Sequence, residues 1–161
     1  MNMRLLAGLL FAVSVVGFSL GASLPLVSLR LASWGHGSFA IGVMAATPAI
    51  GVLLGASLVG RLAARLGTTR LMQFCLLSGA LSVTLLALVQ SYPVWLFLRL
   101  LLGVGLTMVF ILGESWINQL VVEQWRGRLV ALYGSSYALS QLAGPLVLGF
   151  LGSDDDFGFW A

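Results

Sequence analysis

The sequence predicts an all-α protein, a polytopic bundle of transmembrane helices, and three observations support that fold class. Of the 161 residues, 60% are hydrophobic and only 8% are charged. A soluble domain carries about 25% charged residues, so this chain has too few charges to cover a surface that faces water. The mean hydropathy is +1.06, and uncharged apolar runs recur at about the 20 residues that a helix needs to cross a bilayer.

Five runs of this length follow one another, and only short connections separate them. The acidic cluster Asp154–Asp156 follows the last run, and the aromatic segment FGFWA after it is typical of the start of a sixth span. We therefore expect one domain, residues 1–161, that forms a truncated N-terminal part of a larger bundle. The predicted spans are Leu5–Leu29, Phe39–Gly60, Leu71–Gln90, Val94–Val122 and Leu129–Gly152.

The first run also fits a second interpretation. Arg4, the apolar stretch after it and the small residues Gly21-Ala22-Ser23 resemble a secretory signal with its cleavage site. However, apolar residues continue through Pro25, well beyond the roughly 7–15 residues of a typical signal core. This length favours a membrane span over a cleaved signal.

The composition argues against several other classes of protein. The formal net charge is +3, but the eight basic residues are all arginines and form no patch or stripe for nucleic acid. The single cysteine, Cys75, lies inside an apolar run, and the single histidine, His36, lies in a predicted loop between two glycines. The chain has no phosphate-binding loop, no cluster of metal ligands and no Ser/His/Asp set. We therefore expect no enzyme, no cofactor and no metal.

The arginines predict the orientation of the bundle. Cytoplasmic loops of membrane proteins carry the excess of Lys and Arg. With five spans, six arginines fall on one side of the membrane, whereas Arg30 lies on the other side with the acidic cluster. This split predicts a cytoplasmic N-terminus. The six residues on the cytoplasmic side are Arg4, Arg61, Arg65, Arg70, Arg126 and Arg128.

The segment GRLAARLGTTR, residues 60–70, gathers three arginines between the second and third spans. Topological anchoring explains such arginines in part, but the spacing also resembles the signature loop of the major facilitator superfamily, G-x-L-A-D-R-x-G-R-[KR]. Small residues allow a tight turn between helices, and arginines can cap helix carbonyls or pair with acids. Ala64 replaces the usual aspartate and Thr68 an arginine, which removes the family's aspartate latch. The matching positions, interpreted as a gating loop, are Gly60, Leu62, Ala63, Arg65, Gly67 and Arg70.

Two further elements resemble the same family. In the fourth span, Arg99, Gly103 and Gly105 match its R-x-x-x-G-x-G element. In the fifth span, SQLAGPLVLG is similar to the glycine-proline element of its antiporters, with Gly144, Pro145 and Gly149 in register. The segments GESWINQ and RGRLVALYGSSYALSQLAG are similar to bacterial members called YcaD-like.

The resemblance covers the whole chain but less than half of the family's twelve-span architecture. It implies a secondary transporter in a bacterial inner membrane, in which two six-helix halves rock about a midplane site. The expected partners are a small-molecule substrate, protons, the lipid bilayer and the missing C-terminal half of the same protein. The antiporter element favours efflux of a small organic compound.

Two other functions stay open at this point. The first is a membrane-embedded enzyme or a permease subunit that depends on a partner ATPase, and a partner chain that co-purifies with the full-length protein would favour it. A non-transporting structural or receptor-like bundle would tolerate replacement of Glu114 with Gln, a change that should abolish proton-coupled flux in a transporter.

Polar residues form a stripe along the fourth span. A helix turns about 100° per residue, so residues 3, 4, 7 or 11 apart share a face. A charge in mid-membrane costs about 2.5–3.5 kcal/mol on insertion scales, so this stripe should face protein or a water-filled hollow, with apolar residues on the opposite face. The stripe contains Arg99, Gly103, Thr107, Glu114 and Asn118.

The two charged residues of the stripe each have two interpretations. Glu114 is either a carboxyl held by hydrogen bonds between helices or an acid that carries a proton, because intramembrane acids often mark ion pathways. Asn118 and Thr107 are its expected polar companions at a substrate cavity. Arg99 is either the cation of a proton relay or an interfacial arginine that reaches outward. Arg99 and Glu114 lie about 22 Å apart along a helix, so they cannot pair directly.

The fifth span carries two polar stripes. Tyr133, Tyr137 and Gln141 are spaced by four, and this stripe is predicted to line the cavity. A second stripe of small residues, Ser136, Ser140 and Gly144, is predicted to pack against a neighbouring helix.

The remaining small residues and prolines predict helix packing. Gly51 and Gly55 form a G-x-x-x-G pair in the second span, which permits close contact between helices. Gly103 and Pro145 are assigned to packing as well. Pro48 is expected to kink the second span.

Overall fold

The computed structural model describes residues 3–121 and 123–151, and within them it contains five helices and no strand. The predicted all-α fold class is confirmed. The acidic cluster Asp154–Asp156, the segment FGFWA and the predicted span ends Val122 and Gly152 lie outside the described residues. The helices are α1 (Met3–Ser33), α2 (Ser38–Leu66), α3 (Thr68–Leu88), α4 (Tyr92–Leu120) and α5 (Glu123–Leu151).

Four of these helices are long and apolar enough to cross a membrane, which agrees with the first four predicted spans. The apolar segments are Leu6–Ser33, Ser38–Leu66, Thr68–Leu88 and Tyr92–Gln119. Helix α5 has 29 residues, so its length is sufficient, but tyrosines, serines and a glutamine in its central turns make it more polar. The fifth span stays a prediction.

Two connections are shorter than predicted because the helices extend into them. The segment EQWRGR was predicted as a loop, but α5 begins at Glu123 and includes all of it. An acidic residue in the first turn stabilises the positive end of the helix dipole, and the guanidinium of Arg128 lies 5.2 Å from the ring centroid of Trp125. Likewise α1 continues to Ser33, so the loop before α2 contains only residues 34–37.

The predicted loop at residues 60–70 is also helical apart from one residue. Helix α2 ends at Leu66 and α3 begins at Thr68, so Gly67 alone connects them. The Gly67 N–H donates to the Ala63 carbonyl at 3.0 Å, and its own carbonyl accepts from the Leu71 N–H at 3.1 Å. Gly67 thus closes one helix and opens the next, with φ of 81° and ψ of 148°, a conformation that residues with a Cβ avoid.

Hydroxyl groups in the apolar helices bond to their own helix. Ser82 is 1% exposed, and its hydroxyl donates to the Ser78 carbonyl at 2.7 Å. Thr47 donates to the Val43 carbonyl at 2.7 Å in the same way. Because lipid offers no hydrogen-bond partners, this arrangement satisfies the hydroxyls without a second helix.

The chain divides into two compact units. One unit contains residues Met1–Leu31 and Gly113–Ala161, and the other contains Ala32–Leu112. The first unit therefore holds most of α1, the end of α4 and α5, whereas the second holds α2, α3 and the greater part of α4. Below, the units are called the α1/α5 unit and the α2/α3 unit.

Helix α4 is the most buried of the four apolar helices. In its most apolar window 56% of the residues are buried, compared with 17–33% in the other three. The buried residues of α4 include Leu98, Leu102 and Val109 as well as the stripe residue Arg99. The apolar side of this helix is therefore packed as well as the stripe residue Arg99.

Candidate functional site

In the α2/α3 unit, α2 and α4 touch backbone to backbone through three glycines. The Cα of Gly51 lies against the carbonyl oxygen of Leu100, and the Cα of Gly103 lies against the carbonyl oxygen of Pro48. One turn along α2, a Cβ at Gly55 would lie 2.7 Å from the Val104 carbonyl oxygen. No side chain larger than hydrogen fits at these contacts, so the glycines set how closely the two helices approach.

Arg99 and Thr107 flank this contact on α4, each four residues from Gly103. Arg99 is 1% exposed, so its side chain is packed inside the protein. The interpretation of Arg99 as an interfacial arginine that reaches outward is wrong, because such a side chain would be exposed. Thr107 is half-buried, and its Cβ lies 3.3 Å from the position of a Cβ at Gly55.

Helix α3 joins α4 in the same unit through sulfur and small residues. Cys75 is 6% exposed, and its Sγ lies 3.8 Å from the Sδ of Met108. Gly105 faces the α3 backbone at Cys75, with the Ser78 hydroxyl nearby. Cys75 is therefore a small side chain in a helix contact, and among the described residues no cluster of three or more His, Cys, Asp or Glu could hold a metal ion.

In the α1/α5 unit, α1 and α5 touch in a similar way. The Cα of Gly17 lies against the carbonyl of Tyr137, and the Cα of Gly21 lies against the carbonyl of Gln141. Gly144 faces α1 in return, against the backbone at Gly21 and Ala22. Sequence analysis missed the role of Gly17 and Gly21, although they have the same four-residue spacing as Gly51 and Gly55.

The residues of α5 that were predicted to line the cavity differ in how deeply they are buried. Tyr133 is 1% exposed, so the expectation that it lines an open cavity is wrong. Tyr137 and Gln141 are half-buried, and their backbone is in contact with the α1 glycines. Of the second stripe, Ser136 donates its hydroxyl to the Leu132 carbonyl of its own helix at 2.8 Å.

Tyr133 packs onto the end of α4 beside Glu114. The phenol oxygen lies against the Cα of Gly113, and the Cζ atom lies 2.9 Å from the position of a Cβ there. Only glycine leaves room for the ring at this point. The next residue on α4, Glu114, is half-buried. A buried phenol therefore packs on α4 at the residue that precedes an ionisable carboxyl.

The polar stripe opens to the surface one turn beyond Glu114. Asn118 and Gln119 are exposed, and the Gln119 amide donates to the Ser115 hydroxyl at 3.3 Å. Glu114 thus directly follows the Gly113 contact and lies one turn before an exposed amide.

An aromatic cluster that sequence analysis missed joins the α1–α2 loop to the start of α4. The rings of Trp34 and Trp95 lie 4.7 Å apart, and those of His36 and Tyr92 lie 5.0 Å apart, measured between centroids. The Tyr92 hydroxyl donates to the Ala40 carbonyl of α2 at 2.9 Å. His36 is a loop residue as predicted, but its ring is packed against two aromatic neighbours. Aromatic residues on both sides of Pro93 and around His36 were the available signal.

A protein-family model of the Major Facilitator Superfamily matches residues 9–160 of the chain. The chain belongs to this superfamily. The match and the four apolar helices identify an integral membrane protein. No solved structure matches the chain.

Relatives from the superfamily resemble most of the chain. It is 32% identical over 145 residues to the uncharacterized MFS-type transporter YfkF of Bacillus subtilis, and the match covers 87% of this chain and 36% of YfkF. It is 29% identical over 146 residues to the uncharacterized MFS-type transporter YE1530 of Yersinia enterocolitica, covering 90% of this chain and 37% of that protein. The chain thus spans about a third of the length of these relatives. The narrower likeness to the YcaD-like branch stays a prediction.

The superfamily's signature segment has an unusual charge pattern in this member. Arg61 and Arg65 lie in the last two turns of α2, Arg70 lies in the first turn of α3, and all three side chains are exposed. Ala64, at the position of the family's aspartate, is exposed as well. This end of the two helices therefore presents three positive charges around the connecting residue Gly67.

Proposed function

We propose that this chain is the N-terminal part of a proton-coupled secondary transporter that exports a small organic compound across a bacterial inner membrane. In this proposal Glu114 carries the proton, Arg99 is the cation of the relay, and Thr107, Asn118, Tyr137 and Gln141 line the substrate cavity. The energy comes from the proton gradient rather than from a bound nucleotide or a covalent reaction. The protein is therefore a carrier and not an enzyme.

The half-buried position of Glu114 carries this proposal. A carboxylate within an apolar helix costs about 2.5–3.5 kcal/mol on insertion scales. A carboxylate is therefore unfavourable on a helix face that contacts lipid. Glu114 instead is half-buried and follows Gly113, against which Tyr133 of α5 packs, with the exposed Asn118 one turn away. A carboxyl in that place can bind a proton from one side and lose it when its surroundings change.

The glycine contacts support movement of helix pairs as rigid bodies. Backbone contact at Gly51 and Gly103 and at Gly17 and Gly21 leaves no flexible side chain between the paired helices. In alternating access, one bundle rocks against another around a midplane site. This motion requires that the two helices of each pair keep their positions relative to each other. The Gly60–Arg70 segment, with its single hinge residue Gly67, is the proposed gate of this motion.

Proton flux in proteoliposomes tests the proposal. The complete protein that the native gene encodes is reconstituted with the pH dye pyranine inside, and organic cations, organic acids and neutral sugars are added in turn under an imposed pH gradient. We expect at least one class of compound to accelerate proton movement, and we expect Glu114→Gln to remove that acceleration.

Glu123→Gln is the matched control, because Glu123 is an exposed carboxyl in the first turn of α5. It should transport as well as the unchanged protein. If Glu114→Gln keeps full proton-coupled flux, or if no compound class moves protons, the proton-coupled carrier is refuted. A non-transporting bundle then explains the chain better.

A further inference from the structure

We propose that the connection between α2 and α3 binds an anionic phospholipid: Arg61, Arg65 and Arg70 hold its phosphate headgroup, and exposed apolar residues of the two helices contact its acyl chains. Helices α2 and α3 are in contact, and Gly67 alone connects them. The three arginines therefore lie at one end of one helix pair. This inference goes beyond the proposed function, because it does not depend on whether Glu114 carries a proton.

The charge of this surface is the first observation. All three arginine side chains are exposed. The α2/α3 unit, Ala32–Leu112, contains no Asp or Glu, and the first acidic residue of the whole chain is Glu114. Ala64, which lies between Arg61 and Arg65, is exposed and supplies no carboxylate either. The surface is therefore positive and has no compensating acid within its own unit.

The helix dipoles stabilise only one of these three charges. Arg65 lies in the last turn of α2, where the negative end of the dipole favours a cation. Arg70 lies in the first turn of α3, at the positive end of the dipole, and that turn contains no acidic residue. Arg61 lies one turn before Arg65 on the same face of α2. A bound anion would therefore stabilise charges that the helices themselves do not.

Exposed apolar side chains continue from the arginines along both helices. Phe74 and Leu77 lie four and seven residues after Arg70, so they share its face of α3. Leu58 lies three residues before Arg61 and shares its face of α2. A free phosphate would contact only the arginines, whereas a phospholipid would contact both the arginines and these apolar faces. The surface therefore fits a lipid better than a free anion.

The guanidinium group suits a phosphate headgroup. Its donors form a planar fork that matches the oxygens of a phosphate, and hydrogen bonds between ionised groups are stronger than those between neutral groups. The aliphatic part of an arginine can also cover apolar surface while the charge stays at the level of the headgroups. Basic residues beside a membrane span attract anionic lipids, and each contributes about fivefold in affinity.

Native mass spectrometry of the complete protein, purified in detergent, tests this site. Phosphatidylglycerol and phosphatidylcholine with the same two oleoyl chains are titrated in turn, so that the two lipids differ only in their headgroups. We expect phosphatidylglycerol to bind the unchanged protein more tightly than phosphatidylcholine. Arg61→Gln, Arg65→Gln and Arg70→Gln should each weaken binding of phosphatidylglycerol about fivefold and leave binding of phosphatidylcholine unchanged.

Arg126→Gln is the matched control, because Arg126 is an exposed arginine outside the α2/α3 unit and its replacement lowers the net charge equally. It should leave binding of phosphatidylglycerol unchanged. Ala64→Asp, which places a carboxylate beside Arg61 and Arg65, should weaken that binding, whereas Ala64→Ser should not. Thermal unfolding in detergent verifies that each variant is folded.

Four results would each overturn the proposed lipid site. Equal binding of the two lipids would show that the charge of the headgroup is not recognised. An equal loss in Arg126→Gln would mean that only the net charge of the protein matters. Displacement of phosphatidylglycerol by an excess of glycerol 3-phosphate would indicate a site for a free phosphate. Unchanged binding in all three variants of the α2–α3 arginines would mean that another part of the complete protein occupies this surface.

Discussion

The carbonyl oxygen of Pro48 on α2 lies against the Cα of Gly103 on α4, in the space where a side chain at position 103 would begin. Gly51 makes the reciprocal contact one turn along α2. Two helices of a membrane protein cannot be driven together by the hydrophobic effect when lipid surrounds them, so close packing of this kind holds them.

Replacing Gly103 tests this contact. Gly103→Ala should destabilise the protein by about 1–3 kcal/mol, the usual cost of forcing extra atoms into a packed site. Thermal unfolding of the complete protein in detergent measures the change. Gly42 of α2 is exposed, and a Cβ there would have no neighbouring atom within 4 Å, so Gly42→Ala should be neutral or slightly stabilising. Equal unfolding temperatures for both variants would contradict the contact.

Replacing Gly67 tests the single-residue connection between α2 and α3. Its positive φ of 81° is strained for any residue with a Cβ, so Gly67→Ala should cost about 1–3 kcal/mol of folding free energy. Gly60 lies seven residues earlier in open space within α2, and Gly60→Ala should gain up to about 1 kcal/mol from helix propensity. The unfolding temperature should therefore move in opposite directions for the two variants, and a shared direction would argue against strain at the Gly67 connection.

The aromatic cluster should stabilise the connection between the α1–α2 loop and α4. Trp34→Leu removes the ring that lies 4.7 Å from Trp95, and a packed aromatic pair adds about 0.5–1.5 kcal/mol beyond its buried area. We expect a lower unfolding temperature. Phe39→Leu is the control and should hardly change the unfolding temperature, because Phe39 is 86% exposed. An unchanged unfolding temperature for Trp34→Leu would mean that the cluster adds no stability.

The orientation predicted from the arginines can be measured by labelling. In a Cys75→Ser background, Thr69→Cys introduces an exposed thiol at the start of α3, and Ser38→Cys introduces one at the start of α2. With a cytoplasmic N-terminus, an impermeant maleimide should label the second variant on intact cells and the first only in inverted vesicles. The opposite pattern would reverse the predicted topology.

Much of the fold could be predicted because its signals are local. The length of an apolar run with few charges does not depend on which helix packs beside it. The first four spans could therefore be predicted from the sequence. The ends were less accurate where polar residues continue a helix. Glu123 to Arg128 were assigned to a loop for their polarity, yet their intrinsic preference for helix and the acidic first turn extend α5 through them.

The candidate site could be predicted only in part. The four-residue spacing on α5 indicates that Tyr133 and Tyr137 share a face, but spacing does not say what that face meets. Tyr133 is buried because a glycine on α4 leaves room for its ring, whereas Tyr137 lies at α1. Arg99 was placed on the polar stripe of α4, but its burial depends on the neighbours of that helix and not on α4 itself.

The amino-acid sequence alone determined that this protein is helical, that its helices lie in a membrane and which superfamily it resembles, because apolar length, charge and short motifs are properties of contiguous residues. The tertiary structure decided which glycine meets which backbone, why Gly67 alone suffices as a connection, and that the ring of Tyr133 lies against Gly113. Those relationships join residues that are far apart in the chain, and they depend on how closely two helix backbones can approach.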